Sequence, residues 1–335
     1  MKRGRLLAAD VGGTWTTMAL AEAGTDPAIA VHHVYPSRDF EGLEAVVNDF
    51  LARPEVAEHG GRIEAACFSV AGPVAGNAST LTNLGWVVDG STLARSLGLP
   101  AVKLINDFSA AGQGIGHLAA SDIETLQAGD PVANGTRLII GAGTGLGVGV
   151  LTWHDDGYTA HPSEAGHGDF APVDGQQDLL LGHLRRSFGR VSYERVVSGP
   201  GLMRIFSFLQ ETGDGVPSRQ LLEATRKRND TSELIAEFAI SRLDPIAVKA
   251  LDLFVSVYGA FAGNMALVTL ARGGVYIAGG IAPKIAVKLK DGAFMRAFTS
   301  KGRFSELLAS IPVHVVKNPR VGLLGAILEA GRLRK

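Results

Sequence analysis

The chain has 335 residues, of which 46% are hydrophobic and 19% charged, and its formal net charge is −1. This length predicts about two domains with a large buried core, and the balanced charge gives no electrostatic support for a nucleic-acid partner. The single cysteine, Cys67, excludes a disulfide within the chain and a zinc cluster built on cysteines.

The first predicted element is a β-hairpin over residues 6–20, whose two apolar strands meet at the tip Gly12-Gly13-Thr14. Because glycine lacks a Cβ atom, backbone N–H groups at such a tip can turn toward an anion, and the threonine adds a hydroxyl donor. An ordinary tight turn is the alternative. Asp10 ends the first strand, where it either forms an Asx-type turn or holds Mg²⁺ through water; the neighbouring tip favours the metal.

Strand and helix patterns then alternate, which predicts a mixed sheet with helical crossovers. The predicted elements are a helix near residues 43–51, a strand over 63–70, an edge hairpin around 78–82, a helix over 91–97 and a strand over 101–105. Ser91 is the expected N-cap of the second helix. Asn106 and Asp107 follow the last strand directly, at the sheet edge where α/β proteins place ligands. The alternative is that Asp107 is the N-cap of the helix that begins at Phe108, a role that can coexist with ligand binding because the other carboxylate oxygen stays exposed.

The second half opens with another glycine hairpin, over residues 138–151, whose tip is Gly143-Thr144-Gly145. Two facing hairpins of this kind can clamp one polyphosphate, so the pair favours phosphate binding more than either tip alone. Helices are predicted over residues 176–188, 200–210, 218–226, 232–242, 244–271 and 322–333, and strands over 274–278 and 311–316.

Two stretches have features of targeting or membrane segments. Residues 1–5 are basic, but the apolar run that follows stops at Asp10, which is too short for a secretory signal. Residues 253–271 are strongly apolar, but Asp252 beside them and Asn264 within them favour a buried helix. The sequence therefore predicts a cytoplasmic protein without a membrane partner.

The polar loop over residues 163–169 contains Glu164, His167 and Asp169, which could ligate a metal. A closed zinc site would need a fourth ligand, so hydrogen bonding to a polyhydroxylated ligand is the simpler use, with a solvated surface loop as the alternative. Glu194 reads as an ordinary helix carboxylate. Gly279-Gly280 follows an apolar strand and either approaches a nucleotide or forms a simple turn. No P-loop or Rossmann glycine motif is present.

These stretches together resemble the bacterial glucokinase family, in the hexokinase branch of the actin-like ATPase superfamily. The matching motifs, in order, are ADVGGT at 9–14, LINDF at 104–108, GAGTGLG at 141–147, EAGHGDFAP at 164–172, ERVVSGPG at 194–201 and GGVYIAGGI at 273–281. The cysteine-rich zinc motif of the related ROK kinases is absent. One departure is Trp15-Thr16, where the family often has smaller or polar residues.

The resemblance implies a two-domain actin-like ATPase (ribonuclease H-like) α/β fold, with a cleft between a small α/β domain and a larger α+β domain. The small domain would comprise residues 1–117 and 318–335, and the large domain residues 118–317. The family is also expected to form homodimers.

The resemblance further implies ATP-dependent phosphorylation of D-glucose at O6, with Asp107 as the catalytic base and Mg²⁺ as cofactor. Asn106, Glu164, His167 and Glu194 would bind the sugar hydroxyls. ATP would be bound by Ala9, Asp10, Val11, Gly12, Gly13, Thr14, Gly143, Thr144, Gly145, Gly279 and Gly280, with Asp10 holding Mg²⁺ through water.

Three alternatives stay open. The first is a kinase for another hexose, because epimers differ by one hydroxyl. The second is a non-catalytic sugar-sensing regulator of the same fold; related repressors carry a DNA-binding helix-turn-helix before the first hairpin, whereas only five residues precede Leu6 here. The third is an actin-like ATPase without a small-molecule acceptor, which would not need Glu164, His167 and Glu194.

Overall fold

The computed structural model of the chain describes residues 4–24, 27–155, 157–228 and 230–334. The basic residues 1–3, considered above as the start of a targeting signal, lie outside the described residues. The chain divides into two compact units: unit 1 comprises Met1–Ala119, Asp156–Pro162 and Arg320–Lys335, and unit 2 comprises Ala120–Asp155 and Ser163–Pro319.

The strands are β1 (Arg5–Val11), β2 (Trp15–Glu22), β3 (Ile29–Pro36), β4 (Ile63–Val70), β5 (Ala78–Leu81), β6 (Trp86–Asp89), β7 (Val102–Asn106), β8 (Ile123–Gln127), β9 (Arg137–Ala142), β10 (Leu146–His154), β11 (Gly157–Ser163), β12 (Gly274–Ala278) and β13 (Val313–Val316). The helices are α1 (Leu43–Ala52), α2 (Pro54–His59), α3 (Gly90–Ser96), α4 (Asp107–Gly114), α5 (Gly175–Phe188), α6 (Gly199–Glu211), α7 (Arg219–Thr225), α8 (Thr231–Ile240), α9 (Pro245–Thr269), α10 (Ala286–Leu289), α11 (Ala293–Thr299), α12 (Ser305–Ala309) and α13 (Val321–Arg332).

Unit 1 is built on a sheet with the strand order β3-β2-β1-β4-β7. β1 pairs antiparallel with β2 through the first glycine hairpin and parallel with β4 on its other side. Successive residues of β1 point to opposite faces, so Leu7 and Ala9 join one apolar cluster while Leu6 and Ala8 join another, which α4 and α13 also enter. Because both faces are covered, β1 reads as a continuous apolar run in the sequence.

Unit 2 contains the strand order β10-β9-β12-β13-β8. The second glycine hairpin joins β9 to β10, with Leu146 opposite Ala142, and β12 runs parallel to β9 on the other side. One large apolar cluster lies between these strands and the helices of this unit. The hairpin tip and the end of β12 are thereby held at the same edge of the sheet.

α9 is the one helix, among the residues that the structure describes, that is long and apolar enough to cross a membrane. Some 78% of its most apolar window is buried inside the protein. Asp244 caps its N-terminus by accepting a hydrogen bond from Ala247 N–H at 2.8 Å. The prediction of a buried helix over this stretch is confirmed.

Two predicted helix caps are wrong. Asp89 rather than Ser91 caps α3, because its carboxylate accepts the Thr92 N–H at 2.6 Å and the helix begins at Gly90. Asn106 rather than Asp107 caps α4, since its side-chain oxygen accepts the N–H groups of Phe108 and Ser109 at 2.9 and 3.2 Å. Asp107 is therefore the first residue inside the helix.

Candidate active site

The tip of the first hairpin is a tightly closed loop in unit 1. Gly12 N–H donates to Trp15 O at 2.9 Å, which closes the turn around Gly13 and Thr14. Thr14 is exposed at the apex, and the Trp15 side chain is 55% exposed beside it. Ala9 and Val11 lie in the β1 ladder with fully buried side chains. The tip therefore exposes backbone atoms, whereas the Ala9 and Val11 side chains of the preceding strand are buried.

Asp10 stands at the base of this tip. Its Oδ1 accepts a hydrogen bond from the Ser69 hydroxyl of β4 at 3.1 Å, and the first turn of α13 faces its Oδ2, since a Cβ on Gly322 would lie 3.1 Å from that oxygen. Burial raises the pKa of the Asp10 carboxyl above its usual range, and the Ser69 hydrogen bond offsets part of that effect. A carboxylate whose ionised form is disfavoured in this way gains from a nearby cation.

Asn106 is the last residue of β7 and Asp107 the first residue of α4, also in unit 1. Besides capping the helix, Asn106 donates through Nδ2 to Gly72 O at 3.1 Å and to Asp107 Oδ1 at 2.9 Å. Phe108 N–H donates to the same Asp107 oxygen at 3.0 Å. Two donors therefore fix the orientation of the Asp107 carboxylate at the carboxyl edge of the sheet.

The tip of the second hairpin is tied to Glu194 in unit 2. Glu194 Oε2 accepts the Leu146 N–H at 3.0 Å, and a Cβ on Gly145 would approach that oxygen to 2.6 Å, so a side chain at 145 would displace the carboxylate. On the other side of the tip, Gly143 O accepts the Gly199 N–H at the start of α6 at 2.8 Å. Thr144 is exposed at the apex.

Glu164, His167 and Glu194 converge next to this tip. His167 Nε2 lies 3.8 Å from Glu164 Oε2, and its Nδ1 lies 3.9 Å from Glu194 Oε1. The side chains of Glu164 and His167 are 67% and 56% exposed, whereas that of Glu194 is 30% exposed. Two carboxylate acceptors on either side of an imidazole form a surface suited to several hydroxyl groups of one ligand.

Gly279 and Gly280 follow β12 at the same edge of unit 2. Gly279 has a φ of +81°, and a Cβ there would lie 2.5 Å from Ala142 O, so this position needs glycine on both counts. Ile281 N–H donates to Ala142 O at 3.2 Å. The structure thus brings the Gly279-Gly280 turn against the base of the second hairpin.

Asp169 does not join the Glu164, His167 and Glu194 group. Its Oδ1 pairs with Arg190 Nε at 2.6 Å, while another Arg190 nitrogen donates to His167 O at 2.5 Å. No group of three or more potential metal-ligating side chains occurs among the described residues. Asp169 therefore pairs with an arginine and does not complete a set of three side chains with Glu164 and His167.

Two serines that support the first hairpin, Ser69 and Ser37, were not identified from the sequence. Ser69 is a polar residue in an otherwise apolar buried strand, a signal that could have identified it as a partner of Asp10. Ser37 bonds to the hairpin tip but follows β3, an edge strand that the sequence did not predict. Nothing in the local pattern around Ser37 indicates that contact.

The family model for glucokinase matches residues 7–332 of the chain. A glucokinase of *Trichormus variabilis* is 42% identical over 344 aligned positions, which cover 98% of this chain and 99% of that protein.

Two solved structures share the fold. The glucokinase from an Antarctic psychrotroph superposes with a TM-score of 0.83 at 28% identity, over 98% of this chain and 99% of that one. The glucokinase from Balamuthia mandrillaris in complex with glucose gives 0.80 at 22% identity, over 98% and 94% of the two chains.

Proposed function

Because the chain belongs to the glucokinase family, we propose that it transfers the γ-phosphoryl group of ATP to O6 of D-glucose, which yields glucose 6-phosphate and ADP. The observation within the structure that best supports this activity is the group of Glu164, His167 and Glu194 beside the glycine tip at Gly145. Two carboxylates and an imidazole that can bond to sugar hydroxyls lie next to backbone suited to phosphate, which supports a sugar kinase.

The proposed sugar ligands are Asn106, Glu164, His167 and Glu194. Each carboxylate can accept hydrogen bonds from two hydroxyl groups, while the imidazole can donate to another. Both amide hydrogens of Asn106 are already donated, to Gly72 O and Asp107 Oδ1, so Asn106 would give up one of these bonds to donate to a sugar hydroxyl. Glu194 is held in place by the Leu146 N–H, and Asn106 by Gly72 O. These fixed orientations favour one arrangement of hydroxyls, which is the basis of discrimination between hexoses.

Asp107 is the proposed general base. It accepts the proton of the glucose 6-hydroxyl while O6 attacks the γ-phosphorus and the bond from that phosphorus to the β,γ-bridging oxygen breaks. Hydrogen bonds from Asn106 Nδ2 and Phe108 N–H to its Oδ1 hold the carboxylate before substrate arrives. Such preorganisation spares the reorganisation that a mobile base would need.

The proposed nucleotide-binding residues are Ala9 to Thr14, Gly143 to Gly145, and Gly279 with Gly280. In the absence of a P-loop lysine, backbone N–H groups at the glycine tips would carry most of the phosphate contacts. Gly280 has open space around its Cα, since a Cβ there would meet no atom within 4 Å. A nucleotide can therefore approach the backbone at that turn.

The residues present fit Mg²⁺ at Asp10. One carboxylate with water and ATP phosphate oxygens is a donor set that Mg²⁺ accepts, and because burial raises the pKa of the Asp10 carboxyl, a nearby cation would favour its ionised form. When bound, Mg²⁺ would neutralise charge on the transferring phosphoryl group. Asp10 would hold it through water, with Ser69 orienting the carboxylate.

We further propose a cytoplasmic homodimer, as the family resemblance implies, with glucose and ATP as its small-molecule partners. The functional domains are proposed as residues 1–117 with 318–335, and residues 118–317. On this assignment the proposed base belongs to the small domain, and Glu164, His167 and Glu194 belong to the large one.

The function is tested by measuring ADP formation by the purified protein with glucose, mannose, galactose and fructose as acceptors, and with no sugar. We expect the highest kcat/KM for glucose, by roughly tenfold or more, since a missing or misplaced hydroxyl leaves a site polar group unpaired. Preference for another hexose would reassign the substrate. ADP formation independent of sugar would indicate an ATPase, and sugar binding without turnover would indicate a sensor.

A further inference from the structure

Ser37 lies directly beneath the tip of the first hairpin. It is the first residue after β3, and it is fully buried although it is polar. A buried hydroxyl is costly unless its hydrogen bonds are made, so its partners indicate what it does.

The N–H and the hydroxyl group of Ser37 both bond to the hairpin, while its carbonyl oxygen accepts the Phe40 N–H at 3.3 Å. Its N–H donates to Thr14 O at 2.9 Å, and its hydroxyl donates to Gly12 O at 2.8 Å. Its Oγ also lies 2.9 Å from Oγ1 of Thr16, which is fully buried in β2. Because a carbonyl oxygen only accepts, the one hydroxyl hydrogen of Ser37 goes to Gly12, and Thr16 must be the donor to Ser37.

These bonds hold the carbonyls of Gly12 and Thr14, on either side of Gly13. In a planar trans peptide the C=O and the following N–H point in opposite directions. A Gly12 carbonyl turned toward Ser37 therefore turns the Gly13 N–H away from it. Within the described part of the chain, neither Gly13 N–H nor Thr14 N–H donates to a backbone acceptor, whereas Gly12 N–H donates to Trp15 O.

We propose that Ser37 is a positioning residue that presets the tip for phosphate, with Thr16 holding the Ser37 hydroxyl in its donating orientation. We call Ser37 with Thr16, Gly12 O and Thr14 O the clasp. The proposal rests on the proposed function, because it assigns the β- and γ-phosphates of ATP to the backbone N–H groups that the clasp turns away from Ser37. Neither serine nor threonine touches ATP; both act through the loop.

The test compares Ser37→Ala and Thr16→Val with Ser310→Ala. Ser310 is a matched control in unit 2, since its hydroxyl donates to Leu307 O at 2.8 Å, far in sequence from the hairpin. We expect S37A to weaken AMPPNP binding roughly 2- to 12-fold, as loss of a hydrogen bond of ordinary strength predicts. T16V keeps the donation to Gly12 O and should weaken binding several-fold less. S310A should match the wild type.

Two readouts separate positioning from general damage. The inhibition constant of AMP, which lacks the β- and γ-phosphates, and the KM for glucose should change less than about twofold in S37A. Equal weakening of AMPPNP, AMP and glucose, or unchanged AMPPNP affinity, would overturn the proposal. If S37A does not fold, the same comparison of AMPPNP, AMP and glucose constants is made with T16V, and its result supports or overturns the proposal.

Hydrogen–deuterium exchange of the protein without ligands tests the clasp independently of the proposed function. S37A should raise exchange at Gly12 N–H, whose bond to Trp15 O closes the tip, and S310A should not. Faster exchange in a chain that does not phosphorylate glucose would mean that the function is wrong and the clasp exists. Unchanged exchange at the tip would overturn the clasp itself.

Discussion

Asp107 shows how one residue of the sheet edge is prepared for chemistry. Its Oδ1 already accepts hydrogen bonds from Asn106 Nδ2 and Phe108 N–H. In Asp107→Asn the side-chain oxygen can still accept from Phe108, but the group can no longer take a proton from the sugar. We expect kcat to fall by about 10²- to 10⁴-fold with little change in the KM for glucose, measured by ADP formation.

Asp178→Asn is the matched control, because Asp178 is an exposed aspartate in the first turn of another helix, α5. It should keep wild-type kinetics. Near-normal turnover by D107N would remove Asp107 from the role of base.

Glu194 combines a structural contact with the proposed contact to sugar, and Glu194→Gln separates the two. The glutamine Oε1 can still accept the Leu146 N–H, so the hairpin contact is kept, whereas the negative charge facing His167 is lost. We expect the KM for glucose to rise roughly 5- to 150-fold, which corresponds to about 1–3 kcal/mol, with the KM for ATP unchanged.

Glu223→Gln, at an exposed position of α7, is the control for E194Q and should leave both constants as they are. If E194Q raised the KM for ATP instead of that for glucose, Glu194 would belong to the nucleotide site.

Residues differed in how far their placement could be predicted. The end of a buried strand located Asn106 and Asp107; the structure ends that strand at Asn106 itself, one residue later than predicted, and the roles of both residues stay predictions. Which of them caps α4 depends on side-chain rotamers, which a sequence does not specify. Ser37 and Glu194 act through contacts with hairpins distant in the chain, and no local pattern encodes such contacts.

Among the elements, α4 and α13 approach each other at backbone distance in unit 1. A Cβ on Gly325 would lie 1.7 Å from Ala110 O, so Gly325→Ala forces the helices apart. We expect a loss of at least about 2 kcal/mol in the free energy of unfolding, measured by urea denaturation.

Gly331→Ala on the same helix is the control for G325A. Its Cβ would meet only Leu6 Cδ1, at the ordinary contact distance of 3.7 Å. Alanine is the better helix former, so G331A should be neutral or gain up to about 1 kcal/mol. Equal stabilities of the two variants would contradict the close packing of α4 against α13.

Element prediction succeeded where burial is continuous and failed at edges. β4 and β12 were predicted with the bounds observed, because both are nearly continuous buried runs between turn residues. β3, β8 and β11 were not predicted: each is largely exposed or half-buried and lacks a sustained apolar pattern. The short helices α10 to α12 were missed too, since four to seven residues carry too little periodicity.

At the scale of the whole molecule, the predicted class is confirmed: the chain is a mixed α/β protein whose fold matches glucokinases. Composition and periodicity alone led only to a mixed sheet followed by a helical half. The actin-like fold was predicted only from the family resemblance that six motifs in order carry. Composition and periodicity could not predict it, because the fold depends on contacts between residues distant in sequence. Each unit carries one of the two glycine hairpins that the sequence predicts.

In the proposed reaction, this chain esterifies O6 of glucose with the γ-phosphate of ATP. The most direct measurement is ³¹P NMR of a reaction containing the purified protein, ATP, Mg²⁺ and [6-¹³C]glucose. We expect a phosphomonoester signal coupled to the labelled carbon, growing in equal amount with ADP. ADP accompanied by inorganic phosphate, or a phosphomonoester without coupling to that carbon, would contradict it.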